Sequence, residues 1–384
     1  MNTTLFETIV GFVKKQFPLQ DNISLHEPVF AGNEKKYLCE AIDTTYVSSV
    51  GVFVKMFEEK MCQITGAKYA VAIVNGTSAL HMALLMADVE SSDEVLSQSL
   101  TFIATCNAIS YIKAQPVFID VDKDTLGMSP ASLKEFLSGH GERRSDGFTY
   151  NKNTGKRIKA CVPMHTFGFP CRIDEIASVC EEWNITLVED AAESIGSYYK
   201  GQHTGVFGKL GTFSFNGNKT VTCGGGGAIV TNDEAIFKRA KHLTTQAKVA
   251  HPWAFIHDQI GYNYRMPNLN AALACAQLEQ LPSFVENKRN LSKTYSDFFK
   301  EKNICFVNET KESKANYWLN VIIFSDKKER DDFLQYANDD GIMSRPVWEL
   351  MHHLPMFQNA ARGPLDNSEW LADRIVNIPS SVRL

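Results

Sequence analysis

No C-x-x-C pair occurs among the nine cysteines (Cys39, Cys62, Cys106, Cys161, Cys171, Cys180, Cys223, Cys275 and Cys305), and their number is odd. That excludes a disulfide framework and points to free thiols in a reducing cytoplasm. No apolar run is long enough to span a bilayer, so a membrane is not an expected partner. Nor is there a basic excess: 39 Lys+Arg stand against 44 Asp+Glu, a net charge of −5. A nucleic-acid binder needs a basic face to replace counterions, so nucleic acid is not expected either. The ten histidines are scattered. The one adjacent pair, His352-His353, is not expected to place both rings on one helix face, so no metal site is expected. The P-loop spacing and the G-x-G-x-x-G dinucleotide fingerprint are both missing. The first residues are not expected to be a secretory signal: no basic segment precedes the first apolar stretch, and Glu7 and Gly11 interrupt it.

What is present is an ordinary globular balance, 44% hydrophobic and 22% charged residues over 384 positions. That is enough for one large domain and a smaller one. Thr4 and Glu7 read as a capping box, and Leu5, Ile9 and Val13 recur at helical spacing, so residues 1–17 predict an amphipathic helix. Thereafter short β-rich runs alternate with helical patterns. YAVAIV (69–74) precedes NGT and the helix SALHMALLMA. EVLSQ, PVFIDVD, KACVPMH, ITLVEDAAES, TFSF and GAIVTND read as further strands. This alternation predicts an α/β fold with a mostly parallel sheet, whose ligands bind at the carboxyl ends of the strands. Residues 138–157 are polar and glycine-rich and predict a surface loop or short hairpin. From about 280 a long charged helix pattern is followed by the strand NYWLNVIIF and the helix KKERDDFLQYANDDG, a smaller α+β unit.

Three stretches carry chemistry. Asn75-Gly76-Thr77-Ser78 lies at a strand-to-helix junction, where helix amides and hydroxyls either bind an anion or simply cap the helix. Asp190, in EDAAE at the end of an apolar strand, is either a helix cap or a buried acid needing a positive partner. Lys219 lies between SFNGN and CGGGG, on a tight segment joining two strands. Phe102, at another strand-to-helix junction, is either core or a stacking surface for a flat ring. Together, an anion cradle, a buried acid, a flat-ring partner and an amine on one sheet edge match the needs of pyridoxal phosphate.

The motifs NGTSAL, TFIATCNAI, FIDVD, HTFGFP, VEDAAESIGS, FSFNGNK, GGGGAIVTND and GYNYRMPNLNAAL resemble the DegT-type family of pyridoxal-phosphate-dependent nucleotide-sugar aminotransferases. The likeness runs from HEPVFAGNEKKYL to NIPSS. It implies the aspartate-aminotransferase (type I) fold: a large domain with a mostly parallel seven-stranded sheet and a smaller C-terminal α+β domain. The divisions expected are an N-terminal helical extension over 1–23, a cofactor-binding domain over 24–256, and a connecting helix with the small domain over 257–384. Lys219 would form the Schiff base with the cofactor, and Asp190 would pair with its ring nitrogen. Glu193 would lie near the ring's phenolic oxygen, and Phe102 would stack on the ring. Gly76, Thr77 and Ser214 would bind the phosphate. Asn263 would reach the phosphate of a partner subunit, in a homodimer with shared sites. His165 would either line the sugar site or cap its strand, and Arg345 would either contact the sugar nucleotide or donor carboxylate or make a structural salt bridge.

The implied reaction moves an amino group from L-glutamate to a nucleotide-linked keto sugar, with Lys219 as the proton carrier. Three positions depart from the commoner family pattern. Asn216 stands where many relatives have His, Gly225 where many have Glu, and Glu193 where many have Gln. These forms resemble the branch acting on UDP-4-keto-6-deoxy-N-acetylhexosamines, of bacillosamine and legionaminic acid type. The alternatives are a GDP- or dTDP-linked keto sugar, or a sugar dehydratase. The lysine at 219 argues against the dehydratase, since such relatives carry histidine there.

Overall fold

The computed structural model describes residues 3–383. Residues 1, 2 and 384, at the ends of the first and last expected divisions, lie outside the described residues. The centre is a seven-stranded sheet in the order Tyr69–Ile73, Gly227–Thr231, Leu210–Ser214, Thr186–Asp190, Ile158–Val162, Glu94–Gln98 and Gln115–Ile119. Gly227–Thr231 runs antiparallel to both its neighbours, and the remaining pairs are parallel. The expected mostly parallel seven-stranded α/β sheet is therefore what the chain forms.

Strand residues alternate between the two faces because successive side chains point to opposite sides. Val71, Ile73, Val188 and Ile229 pack with Leu80, Ile109 and Ile236 of the helices Gly76–Met86, Ile103–Tyr111 and Glu234–Thr244. Ala70, Ala72, Ala228 and Val230 pack on the other face with Phe53, Phe57 and Ala271 of the helices Val52–Thr65 and Asn268–Glu301. The same face continues through Leu96, Val117 and Leu187 beneath the helices Pro130–His140 and Ile173–Glu182. With helices on both faces, binding groups collect where the strands end.

A second, antiparallel sheet is built from Cys305–Phe306, Asn320–Ile323, Ile375–Ile378 and Arg345–Pro346, in that order. The amphipathic N-terminal helix, Thr3–Gln16, packs on it. Phe6, Ile9, Val10 and Val13 are buried with Phe299, Ile322, Phe333 and Val376. Thr4 lies inside this helix, where its carbonyl accepts from the Thr8 hydroxyl at 2.7 Å, so the expected capping box does not mark the helix start. Residues 138–157 finish the helix at His140 and then form a hairpin, Gly141–Arg143 against Thr149–Asn151. Among the described residues no helix is long and apolar enough to cross a membrane.

Candidate active site

Asp190 is the last residue of the strand Thr186–Asp190. Its Oδ2 accepts from the Thr105 hydroxyl at 2.7 Å, and its Oδ1 from the Ala192 amide at 3.2 Å. Burial pushes its carboxyl above the ordinary range, and these two donors pull it back only in part. Glu189, one residue earlier, points to the opposite face. There it accepts from the amides of Gly205, Phe207 and Gly208 at 2.6–2.7 Å and pairs with His165 Nε2 at 3.0 Å.

Lys219 follows the strand Leu210–Ser214. Its Nζ lies 3.1 Å from Glu193 Oε1 and 3.8 Å from the centroid of the Trp318 ring. The other Glu193 oxygen accepts from the Phe167 amide at 2.8 Å. Burial raises the Glu193 carboxyl, and the Lys219 ammonium opposes that rise. Trp318 is itself held, its Nε1 donating to the Asn218 carbonyl at 2.7 Å.

The third component is a helix N-terminus. Asn75 caps the helix Gly76–Met86, accepting from the Ser78 amide at 2.8 Å. The first turn still presents amides that have no partner within the helix. Ser214 presses against this turn: a Cβ on Gly76 would stand 2.7 Å from Ser214 Cβ and 3.0 Å from its Oγ. Glycine is therefore required at 76 if helix and strand end are to meet this closely.

These parts enclose a cavity of about 300 Å³. Gly76, Thr77 and Ser214 line it together with Asp190, Glu193 and Lys219, and Phe102, Trp318 and Trp348 supply aromatic walls. Phe102 is 45% exposed and meets Trp348 edge-on at 5.8 Å. Seven expected site residues thus share one cavity, and Asn216 joins them. Three do not. His165 is fully buried behind Asp190, held by Glu189 and by the Cys171 amide at 3.3 Å. It lines neither this cavity nor the one beside Arg345, and its place at the end of the strand matches the capping alternative. Asn263 is exposed on a bridge to Thr245, away from this cavity.

Arg345 lines a second cavity of about 550 Å³, which shares Asn218, Trp318 and Trp348 with the first. His26 lines it too, with both ring nitrogens buried and unpartnered. Burial, then the charges of Lys288 and Lys219, push the His26 imidazolium well below its usual range. Trp318, Trp348 and His26 are not among the site residues expected from the sequence. They reach the site from remote loops, with no periodicity or glycine signal beside them.

Pyridoxal phosphate suits this donor set. The buried Asp190 has only neutral hydrogen-bond donors, so it gains from a cationic ring N–H in the cavity. The helix amides and the Ser214 hydroxyl suit a phosphate, and Lys219 brings the amine. Phe102 gives a flat ring an apolar surface.

Residues 29–384 match the model of the DegT/DnrJ/EryC1/StrS aminotransferase family. GDP-perosamine synthase of Escherichia coli O157:H7 is 36% identical over 362 residues, covering 93% of each chain. EpsN of Bacillus subtilis (strain 168), provisionally named a pyridoxal phosphate-dependent aminotransferase, is 36% identical and covers 89% of this chain and 85% of its own. Among solved structures, a DegT DnrJ EryC1 StrS aminotransferase from Brucella abortus superposes with TM-score 0.81 at 25% identity, over 91% of this chain and 90% of its own. Helicobacter pylori PseC has the same fold, with TM-score 0.84 at 21% identity over 93% of each chain.

Proposed function

The chain belongs to the DegT/DnrJ/EryC1/StrS aminotransferase family and is a pyridoxal-phosphate-dependent sugar aminotransferase, and we propose that it moves the amino group of L-glutamate to C4 of a nucleotide-linked 4-keto-6-deoxy sugar. The observation that carries this reading is the Lys219 amine at the cavity wall, 3.1 Å from Glu193 and in one cavity with Asp190.

When bound, the cofactor supplies an aldehyde that receives the amino group and a ring that takes up electrons. The protein's residues do the rest. Lys219 would hold the cofactor's aldehyde and, once freed, would carry the proton at the reacting carbon. Asp190, when ionised, would favour a protonated ring nitrogen. Gly76, Thr77 and Ser214 would hold the phosphate, Phe102 would give the ring an apolar surface, and Glu193 would orient Lys219. Arg345 and His26 face the second cavity, which suits the carboxylate or diphosphate of a substrate. Asn263 serves the phosphate of a second copy, which makes the working unit a homodimer. The division into a helical extension (1–23), a cofactor domain (24–256) and a small domain (257–384) belongs to the same reading, as does a cytoplasmic setting.

For the nucleotide, relatives named GDP-perosamine synthase, 32–36% identical over 93–94% of this chain, favour a GDP-linked sugar. Asn216, Gly225 and Glu193 favour a UDP-linked N-acetyl sugar instead. The test incubates the enzyme with isotopically labelled L-glutamate and a panel of GDP-, UDP- and dTDP-linked 4-keto sugars, followed by mass spectrometry. Label in the GDP sugar alone supports the first nucleotide reading, and label in the UDP-N-acetyl sugar alone supports the second. Label in none of them, from protein carrying cofactor, overturns the proposed reaction.

A further inference from the structure

The segment Ser344–Phe357 leaves the small sheet, passes the cavity at Trp348, and makes a 3-10 turn at Met351–His353. The rings of His352 and His353 nevertheless meet, 4.3 Å apart, contrary to the expectation that neighbouring histidines diverge. Both Nε2 atoms point at one oxygen. Glu369 Oε1, on the helix Asp366–Ala372, lies 2.8 Å from His352 Nε2 and 2.9 Å from His353 Nε2.

The outer ring nitrogens are fixed as well. His352 Nδ1 lies 2.6 Å from the Ser99 hydroxyl, and His353 Nδ1 lies 2.8 Å from Glu349 Oε1. Metal-binding histidines are commonly held this way, with the second nitrogen anchored by a carboxylate or other polar group while the first faces the ion. The charge balance points the same way. Two carboxylates, Glu349 and Glu369, flank two imidazoles. Arg362 is the nearby cation, and it donates to the Gln358 carbonyl at 3.1 Å. A divalent ion would neutralise both carboxylates at once.

We propose that His352 Nε2, His353 Nε2 and a Glu369 oxygen form a binding site for a divalent transition metal of the zinc class. The three ligand atoms lie within 4.8 Å of one another. Tetrahedral zinc with bonds of about 2.0–2.2 Å sets its ligands roughly 3.3 Å apart, so Glu369 Oε1, at 2.8 and 2.9 Å from the two imidazoles, would draw back from each by about half an ångström to admit the ion. Imidazole with carboxylate selects zinc, cobalt, nickel or copper over magnesium or calcium. Half-exposed His353 and Glu369 leave the fourth position to water. The ion would clasp three remote segments: the turn after Trp348, the helix Asp366–Ala372, and, through Ser99, the loop that carries Phe102. It would therefore brace one wall of the cavity without taking part in the chemistry.

The experiment uses the cofactor-loaded enzyme with any affinity tag removed, titrated with cobalt(II) and, separately, assayed for bound zinc by elemental analysis. One ion per chain and the intense visible absorption of four-coordinate cobalt are expected. His353→Ala and Glu369→Gln, both at half-exposed positions, should each weaken binding at least 100-fold while keeping the yellow cofactor band. Glu349→Gln should weaken it about 10-fold. No stoichiometric ion on the wild type, or undiminished binding in both ligand variants, overturns the site.

Discussion

Glu193 holds two things at once: Oε1 accepts from the Lys219 amine at 3.1 Å, and Oε2 accepts from the Phe167 amide at 2.8 Å. Phe167 is in the left-handed region, φ 56°, so this carboxylate fixes a backbone conformation that side-chain-bearing residues rarely adopt. Glutamine can make only one of these contacts in the same sense, because its amide nitrogen does not accept. Glu193→Gln should therefore keep the cofactor attached while lowering kcat by about 10-fold or less. A loss as deep as that of a lysine variant would mean that the charge itself drives the chemistry.

Lys219→Ala tests the covalent anchor. Wild type treated with borohydride should gain the mass of a reduced cofactor adduct on the peptide containing Lys219, and the variant should not. Transamination should fall by about 10²–10⁴-fold or more, the range for loss of a positioned acid–base group. An adduct on another lysine would move the anchor elsewhere.

The acid limb of cofactor binding should report on Asp190. Burial raises this carboxyl above its ordinary range, and the Thr105 hydroxyl favours its ionised form. Only ionised Asp190 suits a protonated ring nitrogen. Affinity for the cofactor should therefore weaken as pH falls toward the raised value. Thr105→Val keeps the shape and removes the donor. The carboxyl should then move further up, because a hydrogen bond that favours its ionised form is lost. The loss of affinity would begin at correspondingly higher pH in a fluorescence titration. An unchanged acid limb would place its origin in another group.

The legible part of the site was the part built from contiguous motifs at strand ends. Asp190 and Ser214 end β-rich runs, Gly76 opens the helix after another, and Lys219 comes five residues after Ser214, so alternation and turn chemistry put them on one sheet edge. His165 also follows a strand, yet its ring turns back to Glu189, because that buried carboxylate requires the pairing. Trp318 and Trp348 arrive through packing of the small sheet's residues against the loops beyond the large sheet's strand ends, which no local pattern encodes. The meeting of His352 and His353 was hidden because a three-residue 3-10 turn has no periodicity to read. The sheet, by contrast, was legible in type and strand count because its apolar runs are short, β-rich and separated by turn residues.

The glycine run after Lys219 offers a graded test of packing, since its members are glycine for different reasons. A Cβ on Gly227 would stand 2.5 Å from the carbonyl carbon and oxygen of Asn75 and 2.9 Å from the Gly76 nitrogen. Those are backbone atoms of the phosphate cradle and cannot rotate away. Gly227→Ala should cost about 1–3 kcal/mol of stability and weaken cofactor binding as the cradle shifts. Gly224 has φ +77° with open space around it, so Gly224→Ala should cost about 1 kcal/mol from backbone strain alone and leave cofactor affinity unchanged. Gly225 has neither constraint: its nearest neighbour is the Val74 carbonyl oxygen at 3.9 Å. Gly225→Ala should be neutral, or stabilise by up to about 1 kcal/mol through lower unfolded-chain entropy. Thermal denaturation with and without added cofactor separates the three. Equal losses at 224, 225 and 227 would show that the run acts through flexibility rather than through close approach to the cradle.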